Sequence, residues 1–106
     1  MAYEDVMAAL ADPTRKAVFD RLRQGPQTVG ALAAGLPVSR PAISQHLKVL
    51  KAVGLVSDHP DGARRFYRLD GRGLTGLKDY LLEVWEEADK AHREEIARQL
   101  EERRYG

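Results

Sequence analysis

The sequence predicts a mainly α domain with one small β-hairpin, in the order α-α-α-α-β-β-α. Three observations carry this. Helix-period segments with start signals fill the chain up to Gly54, the pattern changes to alternation as far as Leu69, and a long three-four spacing of apolar residues begins at Leu74. At 106 residues there is material for one core but not two, so residues 1–106 are read as a single domain.

Tyr3, Val6, Met7 and Leu10 make the first helix, amphipathic but too short to persist alone. Asp12 followed by Pro13 starts the second. The carboxylate can accept an orphaned amide there, and proline at the first helical position loses no hydrogen bond. Ala17, Val18, Phe19 and Leu22 supply its buried side, and Gly25-Pro26 ends it. Thr28 caps the third helix, with Val29, Leu32, Ala33 and Leu36 apolar; Ala33 and Ala34 let another helix cross closely. Gly35-Leu36-Pro37-Val38 is the turn into the fourth.

The fourth helix opens on Ser39, a good cap, with Pro41 in its first turn, and Gly54 closes it. Ile43, Leu47 and Leu50 recur at i, i+4, i+7 as one apolar stripe. At roughly 100° per residue, Pro41, Ser44, Gln45, Lys48 and Ala52 fall on the opposite face, with Arg40 and Lys51 beside it. That face carries hydrogen-bonding groups and cations but no acid. A merely solvated helix mixes both signs, whereas this composition suits an array of phosphates and base edges.

Leu55-Val56 begins a strand, Pro60-Asp61-Gly62 is the turn, and Arg64 to Leu69 alternates, with Tyr67 and Leu69 expected inward and Phe66 and Arg68 outward. Arg64 and Arg65 lie near the hairpin tip. Leu74, Leu77, Leu81, Val84, Ala88 and Ala91 then follow helical spacing toward Arg103, with Tyr80 and Trp85 widening the stripe and Ile96 and Leu100 continuing it less regularly. A helix of that length exceeds what one small core can cover. A helix packed on its own domain is the plain reading; burial against the same helix of a second copy is favoured.

The net charge of +1 conceals an uneven distribution. Gly25–Gly54 holds three cations and no Asp or Glu, whereas Gly73–Gly106 holds six cations against nine acids. One side suits a polyanion and another side faces elsewhere. The absence of cysteine excludes disulfides and thiolate metal sites. No apolar run approaches the roughly 18 residues of a membrane span and the start lacks a signal-peptide pattern, so the cytoplasm is expected and no membrane partner. The histidines His46, His59 and His92 belong to no acid pair or phosphate-binding glycine loop, so no catalysis is expected. Asp58 and His59 are read as setting the hairpin.

Ser39 to Val56, SRPAISQHLKVLKAVGLV, resembles the recognition helix and exit of the ArsR/SmtB family of bacterial winged helix-turn-helix repressors. Ala9-Leu10-Ala11-Asp12-Pro13-Thr14-Arg15 resembles that family's entry into its second helix, and Gly62 to Leu69, GARRFYRL, its wing. Many members have glycine where Pro37 stands, so a local difference in the turn is expected. The resemblance implies a winged helix-turn-helix fold and a homodimeric repressor on a pseudo-palindromic double-stranded DNA operator.

With the outward face described above, it marks Ser39, Arg40, Ser44, Gln45, Lys48 and Lys51 as DNA contacts, with Arg64 and Arg65 on the wing. His46 is either a further phosphate contact or a partly buried structural residue. Val6, Leu10, Leu74, Leu77, Leu81, Val84, Trp85 and Ala88 are the expected dimer face. Family thiolate sensors carry cysteines at positions that match Thr28 and Gly30 here, and zinc-binding members use positions that match Asp79, Leu81, His92 and Glu95. Leucine is no donor, so neither a metal nor another cofactor is expected. Two alternatives stand beside the repressor: a winged-helix module for protein–protein association, and a metal-responsive repressor using the C-terminal helices. The sequence does not say whether a small-molecule effector acts on the protein.

Overall fold

Asp12, Thr28 and Ser39 each close the head of a helix. In the computed structural model, which describes residues 2–105, the Asp12 carboxylate accepts the Arg15 amide at 2.9 Å to start α2 (Pro13–Leu22). The Thr28 and Ser39 hydroxyls accept the Ala31 and Ala42 amides at 3.1 and 3.3 Å, starting α3 (Val29–Gly35) and α4 (Arg40–Ala52). Ahead of them lies α1 (Tyr3–Ala11). After them come β1 (Val56–Asp61), β2 (Arg64–Leu69) and α5 (Leu74–Tyr105). The order is the expected α-α-α-α-β-β-α.

The apolar stripe of α4 is the centre of the core. Ile43, Leu47 and Leu50 are fully enclosed by Val6 of α1, Val18 and Leu22 of α2, Leu32 of α3, and Leu55-Val56. Each such side chain contributes about 1.5–3 kcal/mol relative to exposure. This burial fixes which face of α4 remains outside. The helix ends in a Schellman motif: the Leu55 amide donates to the Leu50 carbonyl at 3.0 Å and the Gly54 amide to the Lys51 carbonyl at 3.1 Å. Gly54, at φ 74°, supplies the left-handed residue that this geometry requires.

The turn between α3 and α4 is built around proline. The Val38 amide donates to the Leu36 carbonyl at 2.8 Å, an i to i+2 bond that suits the restricted φ of Pro37 as the central residue of an inverse γ-turn. Among the described residues only Gly25, Gly54 and Gly62 have positive φ, so this turn uses no left-handed residue. Arg21 of α2 donates to the Gly35 carbonyl at 2.5 Å and closes the end of α3.

The hairpin differs from expectation in two places. Pro60 and Asp61 belong to β1, paired with Arg65 and Arg64, and the loop is the two residues Gly62-Ala63 with Gly62 at φ 63°. A proline is tolerated because this two-stranded sheet has no interior strand. Leu69, expected inward, is exposed at the end of β2, although its strand partner Val56 is fully enclosed; Tyr67 packs inward as predicted. Gln27 adds an unpredicted bridge to Tyr67, with reciprocal backbone bonds of 2.9 and 2.8 Å that tie the hairpin to the α2–α3 connection.

Helix α5 begins where Gly73 meets the end of α4. The Gly73 amide donates to the Gly54 carbonyl at 2.9 Å. From there 32 helical residues run without one that is fully buried, and the molecule measures 74 × 26 × 21 Å. The α1 side of α5 is held by Tyr80, stacked on Tyr3 with ring centroids 4.3 Å apart. Tyr80 therefore packs within the protomer and does not widen the free stripe.

Candidate nucleic-acid interface

Burial of Ile43, Leu47 and Leu50 turns Ser39, Arg40, Ser44, Gln45, Lys48 and Lys51 to solvent, and all six are exposed. The first turn of α4 presents Arg40, and further along the same face come Ser44, Gln45 and Lys48. Arg64 and Arg65, also exposed, stand on β2 directly after the hairpin loop. The two elements converge: Arg40, Arg64 and Arg65 line one cleft with Thr28 and Tyr67. A Cβ on Gly30 would come within 3.3 Å of the Arg40 guanidinium, so the small residue there leaves room for this arginine.

His46 stands apart from this face. It is half-buried, with Nδ1 enclosed and without a hydrogen-bond partner, on the flank of α4 near Asp12. The Arg15 amide, first, and then the nearby Arg15 and His46 side chains hold the Asp12 carboxyl below its usual range against a smaller effect of burial. Its half-burial agrees with the structural reading of His46 and leaves the phosphate-contact reading untested.

Asp58, read from the sequence as setting the hairpin, also ties it to α4, which sequence reasoning did not anticipate. Its side chain, 7% exposed, accepts from Lys51 Nζ at 2.7 Å and from Arg65 Nη1 at 2.5 Å. One carboxylate thus joins the last turn of α4 to the second strand of the hairpin. The Lys51 ammonium, first, and then the Arg65 guanidinium hold the Asp58 carboxyl below the ordinary carboxylate range, outweighing the opposing effect of burial. Two of the expected DNA-contacting residues, Lys51 and Arg65, are therefore already bonded to an acid. Asp58 lies outside the acid-free stretch, and only the path of β1 as it leaves α4 brings it to Lys51.

The expected dimer face also needs revision. Val6 is fully enclosed in the protomer's own core and is removed from that face; helical rotation leaves its neighbour Met7 exposed instead. Leu10 and Leu77 are half-buried against the same core. Leu74, Leu81, Val84, Trp85 and Ala88 remain exposed along one side of α5, Leu81 at 52% and Trp85 at 60%. Leu82, which the stripe did not include, borders them at 49% exposure. Asp79, His92 and Glu95 are carried on α5, and the described residues contain no group of three or more His, Cys, Asp or Glu side chains arranged to hold a metal. No described helix is long and apolar enough to cross a membrane.

Two crossed helices joined by a tight turn, with a β-hairpin beside the second, define a winged helix-turn-helix domain. A helix-turn-helix domain family matches residues 10–59. An HTH-type transcriptional regulator of Mycobacterium tuberculosis is 58% identical over 80 residues, covering 76% of this chain and 75% of that protein. The transcriptional repressor SdpR of Bacillus subtilis is 34% identical over 85 residues, covering 80% and 94%. A solved structure from Mycobacterium bovis has a TM-score of 0.63 at 32% identity, covering 79% of this chain and 78% of that one. It is described as a homodimeric winged helix-turn-helix DNA-binding domain of a possible ArsR-family transcriptional regulator. The present chain belongs to the ArsR/SmtB family of helix-turn-helix transcriptional regulators.

Proposed function

We propose that this protein is a homodimeric transcriptional repressor that acts in the cytoplasm by occupying a pseudo-palindromic operator, without a chemical step. The observation that carries the reading is the acid-free outward face of α4, continuous with the cations of the hairpin. Ser44 and Gln45 are the base-edge readers, since Gln can bond bidentately to adenine and Ser to any base. Arg40, Lys48, Lys51, Arg64 and Arg65 meet phosphate or a narrow minor groove. Two recognition helices then enter successive major grooves about 34–36 Å apart, and bound protein excludes polymerase.

The dimeric state is supported by the exposed apolar side of α5 and by the homodimer described for the relative from Mycobacterium bovis. Electrophoretic retardation of the protein's own promoter against excess random competitor, repeated across salt concentrations, tests the function. The expected result is a competitor-resistant band that weakens as salt rises. A module used only for protein–protein association gives no such band.

A further inference from the structure

We infer that Asp58 is a specificity-determining residue, which raises discrimination between operator and random DNA by holding Lys51 and Arg65 away from indiscriminate phosphate contact. The inference rests on the DNA-binding reading above. Its basis is a geometry unlike an ordinary surface ion pair. The acid is almost enclosed, its two oxygens are each engaged by a different cation, and those cations come from different elements of the DNA-facing side. The side chains of Lys51 and Arg65 are themselves more than half exposed, and among the described residues the ion pairs of their charged ends are those to Asp58.

A free lysine or arginine on such a surface joins any phosphate within reach and releases counterions on any sequence. A cation fixed by a carboxylate has a defined position and a partner to give up before it can do so. Operator DNA, seated by the base contacts of α4, meets the two cations where they already stand. Random duplex, lacking those contacts, gains most from cations that are free to wander. Removal of the carboxylate therefore favours random DNA more than operator.

The test compares D58N, D61N and D58N/K51Q with the wild type on operator and random duplexes over a series of salt concentrations. Asp61, exposed and opposite Arg64 in the hairpin, serves as the control for simple loss of a negative charge. D58N is expected to bind random duplex roughly tenfold more tightly at low salt, with the salt dependence steeper by about one unit for each cation released to phosphate. Its operator-to-random ratio falls. D61N is expected to strengthen both complexes equally and keep the ratio. D58N/K51Q, whose local charge equals that of the wild type, returns random binding toward the wild-type level.

Circular dichroism establishes that each variant is folded. Unfolded D58N would weaken both complexes, and the double variant would then fail to restore wild-type random binding, which counts against the inference. Folded D58N with an unchanged ratio and slope, or with the same response as D61N, overturns it while leaving the DNA-binding function intact. A wild-type protein that binds neither duplex specifically overturns both.

Discussion

At the scale of single residues, two positions show how backbone and charge constrain this surface. Gly73 lies against the end of α4, where an added Cβ would meet the Val53 carbonyl oxygen at 2.2 Å and Gly54 backbone atoms at 2.8–2.9 Å. Backbone cannot rotate aside as a side-chain tip can. Gly73→Ala is expected to destabilise the protein by roughly 1–3 kcal/mol, measured by urea unfolding, because α5 must shift away from α4. Asp58 gives a pH dependence. Its carboxyl titrates lower in the folded protein than in the unfolded chain, so the unfolded state takes up the proton first as pH falls. The resulting stabilisation is complete above the ordinary carboxylate range, near about pH 4, and is lost as pH drops through the lowered folded value. In urea melts at stepped pH, the stability gap between wild type and Asp58→Asn is therefore expected to be flat near neutrality and to close on the acid side. A gap that instead widens below pH 4 would contradict the assignment.

At the scale of elements, the proposed function gives α4 and the hairpin separable tasks. Gln45 projects from the first half of α4 toward solvent, whereas Arg64 sits at the hairpin end of β2. Gln45→Ala is expected to cost roughly 1–3 kcal/mol on operator and little on random duplex. Arg64→Ala should weaken both and reduce the salt slope by about one unit per half-site. If the hairpin variant alone collapses sequence preference, the reading head has been placed on the wrong element. The helices were legible because caps and stripes are local: Ser39, Pro41, Ile43, Leu47, Leu50 and Gly54 all lie within one helix and its ends, and each occupies its expected role. The hairpin was less so. Pro60 is a turn residue by local preference, yet at the edge of a two-stranded sheet it costs no ladder bond, and Gly62 with Ala63 carries the reversal. Gln27 pairing with Tyr67 spans forty positions and leaves no periodic trace. The bond from Asp58 to Lys51 depends in the same way on how β1 leaves α4, which no spacing in the sequence records.

At the scale of the whole molecule, α5 is the element the protomer leaves uncovered. At 1.5 Å per residue its 32 residues span about 48 Å, and none of them is fully buried. Exposed i,i+3 and i,i+4 pairs such as Arg98–Glu95 and Arg93–Asp89 contribute little to holding it. Helices of this kind draw most of their stability from packing of an apolar face, and Leu74, Leu81, Leu82, Val84 and Trp85 form a contiguous one that a lone protomer leaves wet. A two-fold copy of the same face would cover it and set two α4 helices at a fixed separation. The double variant Leu81→Glu/Val84→Glu is therefore expected to sediment as a folded monomer at micromolar concentration, with wild-type protein a dimer. Its operator affinity should fall steeply, since a single half-site carries only part of the contacts. Val6→Ala serves as the contrast, because Val6 lies inside the protomer core: it should lower unfolding stability by about 1–3 kcal/mol and leave the dimer intact. A wild-type monomer at micromolar concentration would remove the two-fold arrangement, and with it the paired half-sites on which the proposed repression depends.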